Sequence, residues 1–343
     1  MIVNAYATVV SLPELTFAHR LVGRRDRTDP DLVSHLNGFM GFVMDSGRRP
    51  MTSTRYGTLR HIERCKHHLA FEVDEDNDNV AEALGDWASD ANAILLMQDG
   101  SILAPRGEVL VDPETGEPEM GAALPFPADA EARKSSTLRE LSSKGIDILP
   151  ILPPVVSEKE VELRAASEVA KRCLGLLTIA LRAESLSIQK EISIDDLRSR
   201  IPRGLENLSP KEKAFLESAR PDKKELTNFS WRYEAVCLLG WALGGLPTLD
   251  FPSTPTEIGP VVASLLEVDA DVLIEKAELR ATHEILDALD LHFRLHWATT
   301  QSRTRGSQAP SGLDGGVIYE RLYALNWLTS FEDADWDDVT TPT

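Results

Sequence analysis

Pro113–Ala130 reads PETGEPEMGAALPFPADA, and this stretch decides the fold. It is dense in Pro, Gly and Glu and follows neither the period of a strand nor that of a helix, so it marks a linker. Upstream of it, strand-like and helix-like segments alternate. Downstream there is almost no strand pattern. The sequence therefore predicts an α+β domain over residues 1–125 and a Pro/Gly-rich linker and lead-in over 126–156, closed by the second proline cluster LPILPPVV at Leu149–Val156. An all-α helical domain follows over 157–343.

Within the first part, Ile2–Val10 reads as a strand and DPDLVSHLNGFMGFVMDSG as a helix capped by Asp31 and stopped at Gly47. RYGTLRHI (Arg55–Ile62) reads as a strand. KHHLAFEVD follows as another, with His67, Leu69, Phe71 and Val73 on one face. NVAEALGDWASDAN supplies a second helix and AILLMQ a strand, the Asp99–Gly100 pair predicts a hairpin turn, and EVLVD continues the pairing. The order β-α-β-β-α-β with an added hairpin predicts a ferredoxin-like α+β sandwich.

In the second part, Ser157 and Glu160 have the spacing of a capping box, which predicts a helix from Glu158 to about Glu184. Ser209, Pro210 and Glu212 repeat the device. SWRYEAVCLLGWALGGLP (Ser230–Pro247) reads as a central helix capped by Ser230 and stopped by Gly244, Gly245 and Pro247, with a long helix from about Ala270 to Thr300 and a last one from Val317 to Thr329 beyond it. Several of these stretches, RKSSTLRELSSKGI from Arg133, LPPVVSEKEVELRAASEVAKRCLGLL, SWRYEAVCLLGWALG, EILDALDLHFRLHW, ERLYALNWL and the terminal WDDVTTPT, together resemble the bacterial domain-of-unknown-function family 4272. The resemblance runs from about Arg133 to Thr343. It implies a helical domain in a bacterial protein and supplies no catalytic residues.

Charge narrows the partners. The 36 Lys and Arg against 55 Asp and Glu give a net charge of −19, which repels phosphate backbones and anionic lipid over a Debye length of about 8 Å. Nucleic acid and membrane are not expected as partners; a protein partner is, with the oligomeric state left open. Cys65, Cys173 and Cys237 are too far apart in sequence to suggest a disulfide framework. The N-terminal MIVNAYATVV lacks the basic region and cleavage site of a signal peptide, and no apolar run approaches the roughly 20 residues of a membrane span. A cytoplasmic location is expected.

The candidate site is polar and lies in the helical part. In THEILDALDLHFRLHWATT, two apolar stripes flank a narrow band of His283, Asp287, Asp290 and Arg294, with Asp290 and Arg294 neighbours at i,i+4. Charges held between packed stripes need partners, and Arg232 and Glu234, Glu320 and Arg321 are the candidates to supply them. The six residues form either an internal salt-bridge network or a ligand or catalytic pocket.

Other patterns fail on spacing. HEILD at His283 departs from H-E-x-x-H at a metal ligand, and His296, paired with His292 at i,i+4, lies in an apolar face. His67 and His68 fall on opposite faces of one strand, so His61, Cys65, His67 and His68 read as a polar strand edge. DEDNDN at Asp74 has Gly85 where a calcium loop needs its bidentate glutamate. There is no Walker loop, G-x-G-x-x-G or G-x-S-x-G, and no metal or cofactor is expected. Trp336 in FEDADWDDVTTPT is expected to dock the tail, with Asp337 or Asp338 meeting an arginine. A binding protein, for instance an inhibitor or immunity-type protein, is the leading expectation, and an enzyme or small-ligand sensor built on the polar cluster the alternative.

Overall fold

The computed structural model describes residues 1–45, 51–74 and 76–342. The stop expected at Gly47 lies outside the described residues. The chain is α+β and divides into two units, Met1–Glu131 with Lys159–Val161, and Ala132–Glu158 with Glu162–Thr343.

The first unit is built on β1 (Ile2–Ala7), β2 (Arg20–Asp26), α1 (Asp31–Asp45), α2 (Ser53–Glu63), β3 (His67–Glu72), α3 (Asp78–Asp90), β4 (Ala93–Met97), β5 (Ile102–Leu103) and β6 (Val109–Val111). The six strands form one sheet in the order β2-β3-β1-β4-β5-β6, antiparallel at every pairing. Alternation along β1 and β3 sends Val3, Ala5, Leu69 and Phe71 to one face, where they pack with Leu84 and Trp87 of α3. Tyr6 and Ile94 point the other way and meet Leu32, Leu36 and Phe39 of α1 and Leu59 and Ile62 of α2. The Asp99–Gly100 turn joins β4 to β5 as expected, with Gly100 at φ +91°, a value open to glycine without steric cost.

RYGTLRHI is helical, against the expectation of a strand. Arg55, Leu59 and Ile62 are spaced i, i+4, i+7 and all turn inward. The first is a charged residue, so the apolar period is hidden. The buried Arg55 guanidinium donates to the carbonyls of Val43 (2.7 Å) and Met44 (3.3 Å) in the last turn of α1. Helices thus lie on both faces of the sheet. β2 carried no signal in the sequence, because RLVGRRD is an exposed edge strand.

The boundary between the units falls within α4 (Ala128–Ser143). Beyond it come α5 (Ala166–Ser187), α6 (Ile194–Arg200), α7 (Pro210–Glu217), α8 (Lys223–Ser230), α9 (Arg232–Ala242), α10 (Ile258–Leu266), α11 (Ala270–Glu275), α12 (Thr282–Thr304) and α13 (Gly315–Leu328). α9 packs between α5 and α13, and α13 packs on α12. The all-α expectation holds, and the capping box at Ser209 forms with Pro210 at the first helical position.

Three helix boundaries move, two of them for long-range reasons. The helix expected from Glu158 begins at Ala166 instead, because Arg164 is held by the end of α13: its backbone N–H donates to Leu328 O (3.0 Å) and its Nε to Trp327 O (2.9 Å). Glu160 is no cap; it is buried in the first unit, where its carboxylate accepts from Thr8 Oγ1 at 2.7 Å and Asn92 Nδ2 at 3.1 Å. Ser230 ends α8 and donates back to Leu226 O (2.8 Å), so Trp231, not Ser230, separates α8 from α9. The helix expected from Ala270 to Thr300 is broken between α11 and α12. There Arg280 is held at the end of α9, with Nε donating to Trp241 O (2.7 Å) and its backbone N–H to Ala242 O (2.8 Å).

Candidate functional site

The first turn of α9 is pressed against the start of α13. Gly316 makes this possible, since a Cβ there would come within 2.8 Å of the Trp231 ring. The approach brings Arg232 and Glu234 of α9 opposite Glu320 and Arg321 of α13. Arg232 Nη1 reaches Glu320 Oε2 at 2.8 Å, and Arg321 Nε reaches Glu234 Oε2 at 3.1 Å. Glu234 also accepts from the backbone N–H (2.6 Å) and hydroxyl (2.9 Å) of Thr256, while Arg321 donates to Asp250 O (2.6 Å) and Thr256 Oγ1 (2.8 Å).

Asp290 and Arg294 do not join these pairs. Both are 0% exposed, and they satisfy each other along α12 through a two-pronged contact, Nε to Oδ2 at 2.9 Å and Nη2 to Oδ1 at 2.6 Å. Arg294 Nη2 also donates to Pro153 O at 3.3 Å. The single cluster read from the sequence is therefore three separate ion pairs. At the N-terminal end of the same band His283 and Asp287 are exposed, and Asp287 meets the buried Arg133 at 3.0 Å.

Electrostatics follow the geometry. Desolvation works against the Arg232 charge, but the Glu320 carboxylate more than offsets it and the guanidinium is held above its ordinary pKa. Burial pushes Glu320 above the usual carboxylate range, with Arg232 opposing. His292 is fully enclosed, and desolvation, helped by Arg321, lowers it to about 4. Its Nδ1 contacts Ala288 O at 2.7 Å, so that nitrogen carries the proton and the ring is neutral. His296 is lowered by burial as well.

Sequence reasoning missed the group that surrounds these pairs. The tail docks as expected, with Trp336 buried, yet its arginines come from elsewhere in the unit. The Arg172 and Arg232 guanidiniums lie 5.0 and 5.6 Å from the indole, and Tyr323 and Trp327 meet it edge-on at 5.2 and 5.4 Å. The Tyr323 hydroxyl donates to Trp336 O, and Asn326 Nδ2 donates to Thr340 O at 2.7 Å. Asp337 accepts from the backbone N–H of Lys211 (2.9 Å) and meets no arginine among the described residues. Arg172 itself pairs with Glu212 at 2.5 Å, so the capping-box glutamate of α7 also anchors α5. Four buried atoms near this indole, Arg172 Nε, Glu212 Oε1, Arg232 Nε and Trp336 Nε1, have no hydrogen-bond partner among the described residues. Ahead of the docked segment, Ser330, Glu332 and Asp333 adopt φ of +51°, +56° and +51°, a left-handed conformation that costs a side-chain-bearing residue about 1 kcal/mol or more.

The other sequence candidates are interior groups. His61 lies on α2 and His68 on β3, both buried along with Cys65, so the polar strand edge expected there is core. His61 Nε2 contacts Tyr6 O at 3.2 Å, and His68 stacks beside His35 with ring centres 4.0 Å apart. Asn77 of the DEDNDN stretch caps α3. Among the described residues no group of three or more His, Cys, Asp or Glu is placed to hold a metal ion, and no helix is long and apolar enough to cross a membrane. All three cysteines are buried as free thiols.

Against known proteins, the model of one family, described as a domain of unknown function (DUF4272), matches residues 133–339. Comparison with curated proteins and with solved structures finds no match.

Proposed function

The chain belongs to the DUF4272 family, and on that premise we propose that it is a cytoplasmic bacterial protein that works by binding a protein partner rather than by catalysis. One observation carries the reading: the six charged side chains best placed to do chemistry in the family domain are committed to one another in three ion pairs, Arg232–Glu320, Arg321–Glu234 and Arg294–Asp290. An acid or base needs a charge free to change, and these are used to hold helices in register. The net charge of −19 favours a basic partner, whose approach it accelerates at low salt. An inhibitor or immunity-type protein that masks a basic surface fits this chemistry. Affinity capture with the full chain from its host tests the idea: a specific basic protein is expected at low salt and lost at high salt. Recovery of no specific partner, or of one whose binding ignores salt, overturns it.

A small-ligand or enzymatic site has one observation in its favour, the four unpartnered atoms around Trp336. Native mass spectrometry of the purified chain separates the two readings. A copurifying small molecule released by Trp336→Phe supports the ligand site, and a bare chain removes it.

A further inference from the structure

Beyond α13 the backbone reverses, and residues 334–342 lie over the helix they have just left as a strap. Trp336 is the one large side chain in it, set among Arg172, Arg232, Tyr323 and Trp327. The remaining hold is on the strap's own carbonyls. Arg164 Nη2 donates to Ala334 O (2.7 Å), Lys211 Nζ to Asp337 O (2.6 Å) and Asn326 Nδ2 to Thr340 O (2.7 Å). An indole socket with donors aimed at a backbone is how a separate peptide is bound, and none of these contacts depends on which chain the strap belongs to.

What ties the strap to its own socket is the link of residues 330–333, and that link is strained. Ser330, Glu332 and Asp333 are all left-handed and none is a glycine. The reversal requires this conformation, since α13 is already closed by the Ser330 N–H on Trp327 O (3.1 Å) and the chain must then turn back within four residues. A straightened link would return all three residues to ordinary backbone angles and carry the strap up to about 14 Å away from its own helix. A short link normally holds a segment at its own site at an effective concentration on the order of millimolar, and strain in the link lowers that advantage over a second copy. Short hinges under strain favour exchange of the segment they carry.

We propose that the strap exchanges between two copies of this chain, giving a two-fold dimer in which each Trp336 fills the other copy's socket. The inference is independent of the protein-binding reading, since it concerns self-association through the tail. Size-exclusion chromatography with light scattering on the full chain tests it. A monomer of 37.9 kDa is expected at low concentration, with a species of twice that mass growing in as the chain approaches about 1 mM. Ser330→Gly combined with Glu332→Gly accepts the left-handed turn without strain, so Tm should rise while association weakens by at least about tenfold, because each dimer opens two hinges. Trp336→Ala, which empties both sockets, should abolish the dimer. A chain that stays monomeric at about 1 mM, a dimer whose affinity the two glycines leave unchanged, or one that survives Trp336→Ala would each overturn the proposal.

Discussion

Asp290→Ala removes the carboxylate that answers Arg294 and leaves a guanidinium with no access to water, since both residues are 0% exposed. Breaking a buried pair on one side costs about 3–5 kcal/mol, because the surviving charge has neither solvent nor counter-ion. At about 2–4 °C per kcal/mol for a unit of some 200 residues, Tm should fall by roughly 6–20 °C. Removing both charges behaves differently. With Asp290→Leu and Arg294→Met together the volume is kept and the desolvation penalty disappears, so most of the loss should return, less about 1 kcal/mol for the Pro153 carbonyl that loses its donor. The coupling energy in the double-mutant cycle should be about 2–4 kcal/mol. Urea denaturation followed by tryptophan fluorescence is the assay. Five of the six tryptophans, all but Trp87, lie in the second unit, so the signal reports the right part of the chain. A single-mutant cost below about 1 kcal/mol, or additive losses in the double mutant, would refute the claim that this pair is a desolvated structural lock.

Further expectations rest on other features. His61 and His292 are both lowered to about 4, so as pH falls from about 6.5 the unfolded chain takes up protons that the folded chain refuses. Stability should hold above pH 6.5 and drop toward pH 4 by up to about 3 kcal/mol per histidine, at about 1.4 kcal/mol for each pH unit crossed; a flat urea midpoint between pH 7 and 4.5 would contradict this. Trp336→Ala should cost about 3–5 kcal/mol in thermal or urea unfolding, as expected for a buried indole, and a loss under 1 kcal/mol would mean the tail is not docked. Glu160→Ala should cost about 1–3 kcal/mol for each of the donors Thr8 and Asn92 left without this acceptor, and Glu160→Gln, which keeps one carbonyl oxygen, should recover part of it by the same measurement.

Much of the architecture was legible where local chemistry governs it. The Asp99–Gly100 hairpin, the capping box at Ser209 and the stop at Gly244 all act through neighbours a few residues away, and all appear in the structure. The misreadings share a different physics. Arg55, Arg164 and Arg280 each place a guanidinium on a carbonyl at the end of another helix, 12, 163 and 39 residues away, and in each case the surrounding backbone takes the conformation the contact requires. No local pattern encodes such a partner. The candidate site was half legible for a similar reason. The six charged residues are buried or nearly so and paired, as their placement beside apolar stripes implied, but pairing is decided by which helices meet. That depended on Gly316 admitting the Trp231 ring. Arg172 and Glu212 carried only helix-forming and capping signals, and nothing in the sequence joined them to Trp336.

The arginine caps also bear on how the chain reaches this structure. Arg280 and Trp241 are 39 residues apart and Arg164 and Trp327 are 163 apart, so the arginine contacts at the ends of α9 and α13 form only after remote segments have met. Each helix already ends on local backbone bonds, Gly244 N–H to Trp241 O (2.9 Å) and Ser330 N–H to Trp327 O (3.1 Å), whereas the long loops are closed at an entropic cost before the arginine contacts form. The caps therefore belong to the late side of the folding barrier: losing one should leave the folding rate nearly unchanged and appear as faster unfolding, a shortened lifetime for the native state.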